Sequence, residues 1–592
     1  MAFMATAKLP EIDVMAEWQS PSRRRFKLDP LWLAGPGVFY LVLLLIVPAA
    51  GLMFLSFRDS SGSLSFETYR QMFGAGIYVQ VLINTFSIAM QTTIACLLVG
   101  YPLAYWLAKM PEKRRRLVMW LVLLPFWMSA LLKNFAWMVL LSRRGVLSQI
   151  LTGMGMGGPV DLLYGRGVVV FAMAHTMLPL AALTMLPTLL SIDLGLARAA
   201  KTLGASGGQA FWRIVFPLSM PGVAAAGLLV FISSLGFFIT PALLGSPRET
   251  VIGQLLITQV QQLLNWQLAG AIAVMLLVVT LAVCLVYDRA FGISAVSGER
   301  SDRRSTGLFA RIGTVVIASV ARVTDILAGV LDIVPGLRRR GWLLDAFCVL
   351  VMVMLLVPVL IFLPMAFGSS SFLEFPPRGY SLRWFETYWN SSNWTGATMR
   401  SFGIAIVSAL LASAMGGIAA FGVARSKSKI GNVAFLLFML PMIIPNIVIA
   451  VALFYLFAQI GLIATDAGIA LGHTLTALPV VFVIILTTFK NYDWRLDQAA
   501  ATLGATRMGT VRKVTWPIVK GSVVAAFLFG FLHSFEELTI ALFVGGGVRQ
   551  TLPKQMWDDV LLQVSPTLAA ASVIILAVVT IVFVAAEHAR PR

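Results

Sequence analysis

The chain has 592 residues, of which 59% are hydrophobic and only 12% are charged, and its mean hydropathy is +0.87. Soluble domains carry about 25% charged residues, so this composition excludes an ordinary soluble enzyme and indicates a polytopic membrane protein. The net charge is +19, but the sequence has no basic patch with interleaved aromatic residues, so we expect no nucleic-acid partner. We attribute the positive charge to the cytoplasmic loops of a membrane protein.

The first 30 residues are polar, and they end in the basic run Arg23-Arg-Arg-Phe-Lys27. They lack the small-residue cleavage site of a signal peptide, so we predict that 1–30 is a cytoplasmic tail.

Twelve apolar runs follow that are long enough to cross a bilayer core, which needs about 20 residues of helix. The composition lacks the alternating pattern of a membrane barrel, so we predict that the spans are helices. The fold class is therefore an all-α polytopic membrane protein with about 12 transmembrane helices. The runs lie near 31–57, 79–108, 117–141, 167–192, 214–244, 267–287, 343–367, 398–424, 431–459, 467–489, 515–544 and 564–586.

The distribution of Lys and Arg predicts the orientation. If the N-terminus is cytoplasmic, the inside segments carry 32 of these residues and the outside segments carry 11. Basic residues concentrate in cytoplasmic loops, so we expect a multi-pass protein of the bacterial inner membrane with both termini in the cytoplasm.

One polar stretch occurs twice, at an offset of 300 residues. Asp193-Leu-Gly-Leu-Ala-Arg-Ala-Ala-Lys-Thr-Leu-Gly204 leads to Pro217, and Asp493-Trp-Arg-Leu-Asp-Gln-Ala-Ala-Ala-Thr-Leu-Gly504 leads to Pro517. We call residues 193–217 the first polar loop and residues 493–517 the second polar loop. The predicted orientation places both in the cytoplasm.

Each polar loop has features of a docking element. Paired alanines on a short helix leave a smooth face for another protein, glycine permits a turn with positive φ, and proline is tolerated where a helix starts. The alternative is a pair of ordinary loops left by gene duplication. The candidate docking residues are Ala199, Ala200, Gly204, Pro217, Ala499, Ala500, Gly504 and Pro517.

Six runs precede the charged segment 288–341 and six follow it, so each half begins and ends on the same side. The halves are thus parallel repeats, unlike the inverted repeats of many secondary transporters. We assign 31–290 to the first repeat, 342–592 to the second, and 291–341 to a cytoplasmic linker. The apolar piece 308–334 is interrupted by charges and predicts an interfacial helix; a thirteenth span is the alternative.

Both polar loops resemble the E-A-A-x-x-x-G cytoplasmic loop of importer-type ABC permeases, and the resemblance extends over nearly the whole chain. The first half is similar to the first permease subunit of spermidine/putrescine importers, and the second half to its partner subunit. The residues that carry this similarity are Gly100-Tyr-Pro-Leu-Ala-Tyr-Trp106, Leu124-Pro-Phe-Trp-Met-Ser129, Ala136-Trp137, Leu235-Gly-Phe-Phe-Ile-Thr-Pro-Ala-Leu-Leu-Gly245, Phe375-Pro-Pro377, Ser381-Leu-Arg-Trp384, Ser534-Phe-Glu-Glu-Leu538 and Thr551-Leu-Pro553.

The resemblance implies a type I ABC importer fold in which two permease subunits are fused. It implies a dimer of ABC ATPase subunits below the membrane and a periplasmic solute-binding protein above it. ATP and magnesium would belong to the ATPase, so we expect no cofactor on this chain and no enzymatic activity. The glutamate of the family motif is replaced by Arg198 and Gln498, and Asp497 is a candidate substitute in the second loop.

No Walker A pattern occurs, because Lys201-Thr202 follows two alanines rather than a glycine-rich loop. Transport driven by an ion or solute gradient is the alternative from another class. It would favour ionisable residues near the midplane, of which the twelve runs hold few.

The charged residues within the runs are Lys133, Glu536 and Glu537. Such residues usually face a polar interior, and a polyammonium solute suits carboxylates together with aromatic faces. We therefore hypothesise that a small cationic solute passes these glutamates; alternatively they pair with Lys133 or cap a broken helix. The candidate path residues are Glu536, Glu537, His533, Phe237 and Phe238.

His533 and Glu536 alone do not make a metal site, so we assign none. The resemblance leaves ferric iron, thiamine or a phosphonate as alternative substrates.

Overall fold

The computed structural model describes residues 29–58, 62–143, 145–155, 162–291, 342–373, 375–426, 428 and 430–589. Almost all of the predicted N-terminal tail, the linker and its helix at 308–334 lie outside these residues. Within them the backbone is nearly all helical, and the strand-like pairing is confined to the isolated bridges Arg58–Leu64 and Gly368–Tyr380. The predicted all-α class is confirmed.

Helices of the first repeat are numbered in chain order. They are α1 Pro30–Ser56, α2 Glu67–Gly74, α3 Ile77–Lys109, α4 Glu112–Trp127, α5 Ala130–Leu141, α6 Val146–Gly153, α7 Arg166–Ser191, α8 Leu194–Thr202, α9 Gly207–Leu235, α10 Ile239–Leu244, α11 Ile252–Ile257 and α12 Trp266–Phe291.

Helices of the second repeat follow the same order, without a described counterpart of α6. They are α13 Trp342–Ala366, α14 Arg383–Asn390, α15 Ser392–Arg425, α16 Ile430–Ile443, α17 Asn446–Ile460, α18 Asp466–Lys490, α19 Arg495–Thr502, α20 Arg507–Phe535, α21 Thr539–Val544, α22 Leu552–Leu562 and α23 Thr567–Ala589.

The predicted spans divide into three kinds in the described part of the chain. Nine are helices long and apolar enough to cross a membrane. Two, α4 with α5 and α16 with α17, are bent by 83° and 96° at short breaks, and the twelfth, α23, contains a shorter apolar helix at Thr567–Val582. Ser129 caps α5 and Pro445 stands before α17, so each bend falls where a new helix begins.

The first span of each repeat packs against the other repeat. Helix α1 contacts α15, α16 and α17, while α13 contacts α3, α4 and α5. Polar contacts join these first spans to a further helix of the other repeat: the Tyr40 hydroxyl of α1 donates to the Leu471 carbonyl of α18, and the His175 Nε2 atom of α7 lies 3.1 Å from the Met354 carbonyl oxygen of α13. His175 is thus a hydrogen-bonded packing residue between the repeats. This exchange of spans makes the two repeats interdependent.

Each repeat also contains a break near its fifth predicted span. Helices α9 and α10 are separated by Gly236–Phe238, and α20 and α21 by Glu536–Leu538. We call these two segments the central breaks. A Cβ atom on Gly236 would lie 3.2 Å from the Pro445 Cβ atom, so this break closely approaches the bend of the other repeat and favours a residue without a side chain.

The elements around the central breaks are matched between the repeats. Helix α5 contacts α10 of its own repeat and α22 of the other, and α17 likewise contacts α21 and α11. The central breaks therefore lie where the two repeats meet, and two-fold pseudosymmetry relates their surroundings.

Candidate functional site: the polar loops and the central breaks

The first polar loop projects a short helix, α8, from the end of α7. Asp193 caps it, because its Oδ1 atom accepts a hydrogen bond of 2.7 Å from the Gly195 N–H group. The predicted docking residue Ala199 is exposed and Ala200 is half-buried, and no residue of this helix is buried. The helix thus presents its surface outward.

The second polar loop repeats this arrangement with α19. The Asp493 Oδ1 atom accepts a hydrogen bond of 3.0 Å from the Arg495 N–H group, and Ala499 is exposed while Ala500 is half-buried. The two alanine pairs therefore occupy equivalent surfaces in the two repeats.

Both short helices end at a glycine with positive φ, as the sequence predicts. The φ angles of Gly204 and Gly504 are +90° and +82°. The following residue closes the turn in each case, since the Ala205 N–H group donates to the Ala200 carbonyl and the Ala505 N–H group to the Ala500 carbonyl, both at 3.0 Å. This left-handed turn at a helix end favours glycine at both positions.

The prolines lie deeper in the next helix than the sequence indicates. Helices α9 and α20 begin ten residues before Pro217 and Pro517, and a five-residue π turn comes directly before the α-helical part that each proline opens. A proline has no N–H group to donate to the preceding turn, and a widened π turn accommodates this loss within a continuous helix.

Two exposed leucines of the polar loops were not among the predicted docking residues. Leu203 and Leu503, next to the turn glycines, are 89% and 88% exposed. The repeat in the sequence could have revealed them, because leucine occurs at the same position of both polar loops. Two exposed leucines at matched tips are suited to insertion into a partner's apolar pocket.

Asp497, considered a substitute for the motif glutamate, is buried inside the second repeat. Its Oδ1 atom accepts hydrogen bonds of 2.7 Å from the Tyr492 hydroxyl and 3.1 Å from the Thr515 hydroxyl, and its Oδ2 atom lies 3.8 Å from an Arg425 Nη1 atom. Burial, the hydrogen bond to Asp497 and that residue's charge raise the pKa of Tyr492, so its hydroxyl stays a donor. Asp497 ties α15, α19 and α20 together instead of facing a partner.

Glu536 ends α20 at the central break. Its Oε1 atom is buried and has no hydrogen-bond partner among the described residues. The charge of Lys133 on α5 acts on Glu536 from across the contact between the repeats, but no ion pair within 4 Å joins the two side chains in the described part of the chain; the Lys133 Nζ atom donates to the Pro125 carbonyl at 3.1 Å. The alternative that pairs Glu536 with Lys133 therefore stays a prediction, supported by the proximity of the two charges and not by a direct contact.

Glu537 serves as a helix cap. Its Oε2 atom accepts hydrogen bonds of 2.8 Å from the Ile540 N–H group and 3.4 Å from the Ala541 N–H group at the start of α21, and lies 3.4 Å from the His473 Nε2 atom. His473 in turn contacts the Ser534 hydroxyl at 2.9 Å through its Nδ1 atom. These contacts make His473 a packing residue and leave Glu537 little freedom to meet a solute.

The other candidate path residues have different surroundings. His533 is half-buried and its Nε2 atom has no partner in the described residues. Phe237 is partly buried, whereas Phe238 is 1% exposed and its ring packs edge-on against Trp557, with the centroids 5.6 Å apart. Trp557 of α22 was not among the predicted site residues, and its ring contact with Phe238 joins the two repeats.

No group of three metal-binding side chains is assembled in the described part of the chain. The residues at the central breaks therefore offer two carboxylates, a lysine, two histidines and aromatic rings, a set suited to charge recognition more than to metal binding.

Comparison with protein families gives a double match. The model of the binding-protein-dependent transport system inner membrane component matches residues 100–295 and again 412–592. Each matched range includes one polar loop and one central break. The domain is therefore present twice, as expected for two fused permeases.

Individual relatives each correspond to less than half of the chain. The spermidine/putrescine transport system permease protein PotB of Escherichia coli K12 is 31% identical over 260 residues, which cover 43% of this chain and 94% of the relative. The permease protein PotC of Haemophilus influenzae is 28% identical over 237 residues, covering 40% and 92%. PotC of Escherichia coli K12 is 28% identical over 235 residues, covering 39% and 88%.

Among solved structures, the chain is similar to a crystal structure of a bacterial alginate ABC transporter in complex with an alginate-bound periplasmic protein, with 21% identity, a TM-score of 0.39, and coverage of 44% of this chain and 91% of that one. On the double match of the family model and the identity to PotB over nearly the whole of that relative, the chain belongs to the binding-protein-dependent transport system inner membrane components.

Proposed function

We propose that this chain is the complete membrane-spanning part of an ATP-driven importer, with its two repeats acting as the two permease subunits. The observation that carries the proposal is a duplication. Each of the two ranges that match the family contains one exposed polar loop, and both loops have a short helix, a glycine turn and a leucine at the tip. Two equivalent loops, which the predicted orientation places on the same side of the membrane, suit a two-fold symmetric partner, such as a dimer of ATPase subunits.

The polar loops join directly to α9 and α20, which lead to the central breaks. A push on either loop would therefore be transmitted along a continuous helix to the place where the repeats meet. The proposed coupling residues are those predicted from the sequence, with Leu203 and Leu503 added.

The proposed solute is a polyamine such as spermidine or putrescine, imported from a periplasmic binding protein. Three relatives named as spermidine/putrescine permeases support this class. Glu536 supports it chemically, because a carboxylate with an unpaired buried oxygen can accept an ammonium group. Phe237, which is only partly buried, would supply an aromatic face for the same cation, and the buried Phe238–Trp557 contact would hold the break beside it.

Reconstitution tests both parts of the proposal. The chain is placed in proteoliposomes with its cognate ATPase and binding protein, and uptake of labelled putrescine, spermidine, ferric iron, thiamine and a phosphonate is measured with and without internal ATP. We expect ATP-dependent uptake of a polyamine alone. Uptake that follows an imposed ion gradient without ATP would instead indicate a secondary transporter, and ATP-dependent uptake of another solute would overturn the substrate class.

A further inference from the structure

A groove of about 360 Å³ lies beside the first polar loop, between the end of α3, helix α8 and the start of α9. Its walls are largely apolar, and its rim carries three cationic side chains. The lining residues that matter here are Tyr105, Lys109, Leu194, Arg198, Lys201 and Phe211.

The three cations at the rim lack an acidic partner in the described part of the chain. Lys109, Arg198 and Lys201 are exposed, and none takes part in an ion pair there. The Lys109 Nζ atom lies instead 4.1 Å from the centroid of the Tyr105 ring. An apolar groove ringed by unpaired cations is complementary to an anionic group on an apolar stem.

In the second repeat, side chains of the chain itself occupy the position that corresponds to this groove. The offset of 300 residues matches Ala197 with Asp497 and Leu194 with Trp494, and Arg425 ends α15 as Lys109 ends α3. The Asp497 carboxylate lies 3.8 Å from the Arg425 guanidinium, whose central carbon lies 5.1 Å from the centroid of the Trp494 ring. The second repeat thus inserts a carboxylate and an indole of its own where the first repeat has alanine, leucine and an open groove.

We propose that the groove beside the first polar loop receives an aspartate or glutamate side chain of the ATPase subunit, which takes the place that Asp497 takes in the second repeat. This inference rests on the proposed function, since it names the chemistry of that partner at one of its two contacts. The side chain's carboxylate meets Lys109 and Arg198, and its stem lies against Leu194 and Phe211.

One consequence is that the two ATPase contacts differ. The first contact depends on exposed charges, so dissolved salt should weaken it. At the second loop the corresponding cation, Arg425, is already paired with Asp497 inside the permease. Two identical ATPase subunits would then be held with different strengths.

The dissociation constant between the purified cognate ATPase and the full chain in nanodiscs tests the proposal. Arg198→Glu reverses the charge at the rim, and Ala197→Asp lets the first repeat fill its own groove as the second does. We expect each variant to weaken binding by about fivefold at low salt, the range of partly exposed ion pairs, and to reduce the salt dependence. Arg213→Glu is the matched control, because Arg213 is exposed in the same polar loop, on α9, but lies outside the groove.

The outcomes separate the two proposals. Failure of the unaltered chain to bind any ATPase would overturn the proposed function. Binding by the unaltered chain that Arg198→Glu and Ala197→Asp leave unchanged, or that Arg213→Glu weakens equally, would overturn the groove inference alone. The measurement is repeated in phosphatidylcholine with and without one-third phosphatidylglycerol; an effect of Arg198→Glu confined to the anionic lipid would assign the groove to a lipid phosphate and overturn the inference.

Discussion

The Trp106 Nε1 atom donates a hydrogen bond of 2.7 Å to the Asp345 Oδ1 atom, and this contact joins α3 of the first repeat to α13 of the second. The indole is 8% exposed, whereas Asp345 is exposed. The Trp106–Asp345 contact and the packing of α1 on α15 show that each repeat is completed by a helix of the other.

We predict that the two repeats remain associated after the chain is cut. A protease site inserted between Gly298 and Arg304, in the sequence between α12 and α13, should yield two fragments that co-purify in detergent. Burial of the exchanged spans provides a contact that does not require the covalent linker. Migration of the fragments as separate species on size exclusion would contradict the exchange, and the uncut chain serves as the control.

The same contact predicts a modest loss of stability on Asp345→Ala. Removing the acceptor costs about 1 kcal/mol, because the hydrogen bond lies partly in solvent. The thermal midpoint of the cut protein should fall more than that of the intact chain. Equal midpoints for Asp345→Ala and the unaltered protein, both cut, would contradict a role in joining the repeats.

The turn glycines give a prediction about the polar loops. Alanine at Gly204 or Gly504 is strained at positive φ by about 1 kcal/mol, and this strain should displace the short helix before it. We expect ATP-driven uptake to fall for each variant while expression is retained. Gly396→Ala is the matched control, because Gly396 lies in α15 without a positive φ, away from the polar loops, and a Cβ there meets nothing within 4 Å. Equal uptake by all three variants would remove the turn from the coupling mechanism.

The tip leucines give a sharper test of docking. Leu203→Asp and Leu503→Asp change side chains that contact little of the permease itself, so the fold should be unaffected. If both tips enter apolar pockets of the ATPase, each change should weaken its binding by about tenfold. Leu562→Asp, at a leucine 79% exposed beyond the polar loops, should leave binding unaltered. An equal effect of all three substitutions would point to surface charge and not to docking.

Much of this architecture could be read from the sequence, because span length and the repeated loop depend on local patterns. The long apolar runs and the glycine turns are of this kind. The bends between α4 and α5 and between α16 and α17 fell inside predicted spans, since apolar composition continues through Met128 and Ile444 although the helices break there. Contacts between residues far apart in the chain, such as Phe238 with Trp557, leave no periodic signal and required the structure.

The opposite charges of Lys133 and Glu536 near the central break supply the last prediction. Lys133 is 2% exposed and Glu536 is half-buried, so removal of either charge leaves the other less compensated, at a cost below the roughly 3–5 kcal/mol of a broken close pair. Lys133→Met and Glu536→Gln should therefore each lower the thermal midpoint of the full complex, whereas the double variant should recover much of the loss, since both charges are then absent.

Transport separates the two roles that Glu536 could have. If Glu536 only balances Lys133, polyamine uptake should recover in the double variant together with stability. If it receives the solute's ammonium group, uptake should stay about tenfold below that of the unaltered protein even where stability has recovered, because a neutral amide forfeits a charge-assisted hydrogen bond. We expect the second result, measured as initial rates at matched protein levels. Recovery of uptake in step with stability would place the cation's path elsewhere and leave Glu536 a purely structural partner of Lys133.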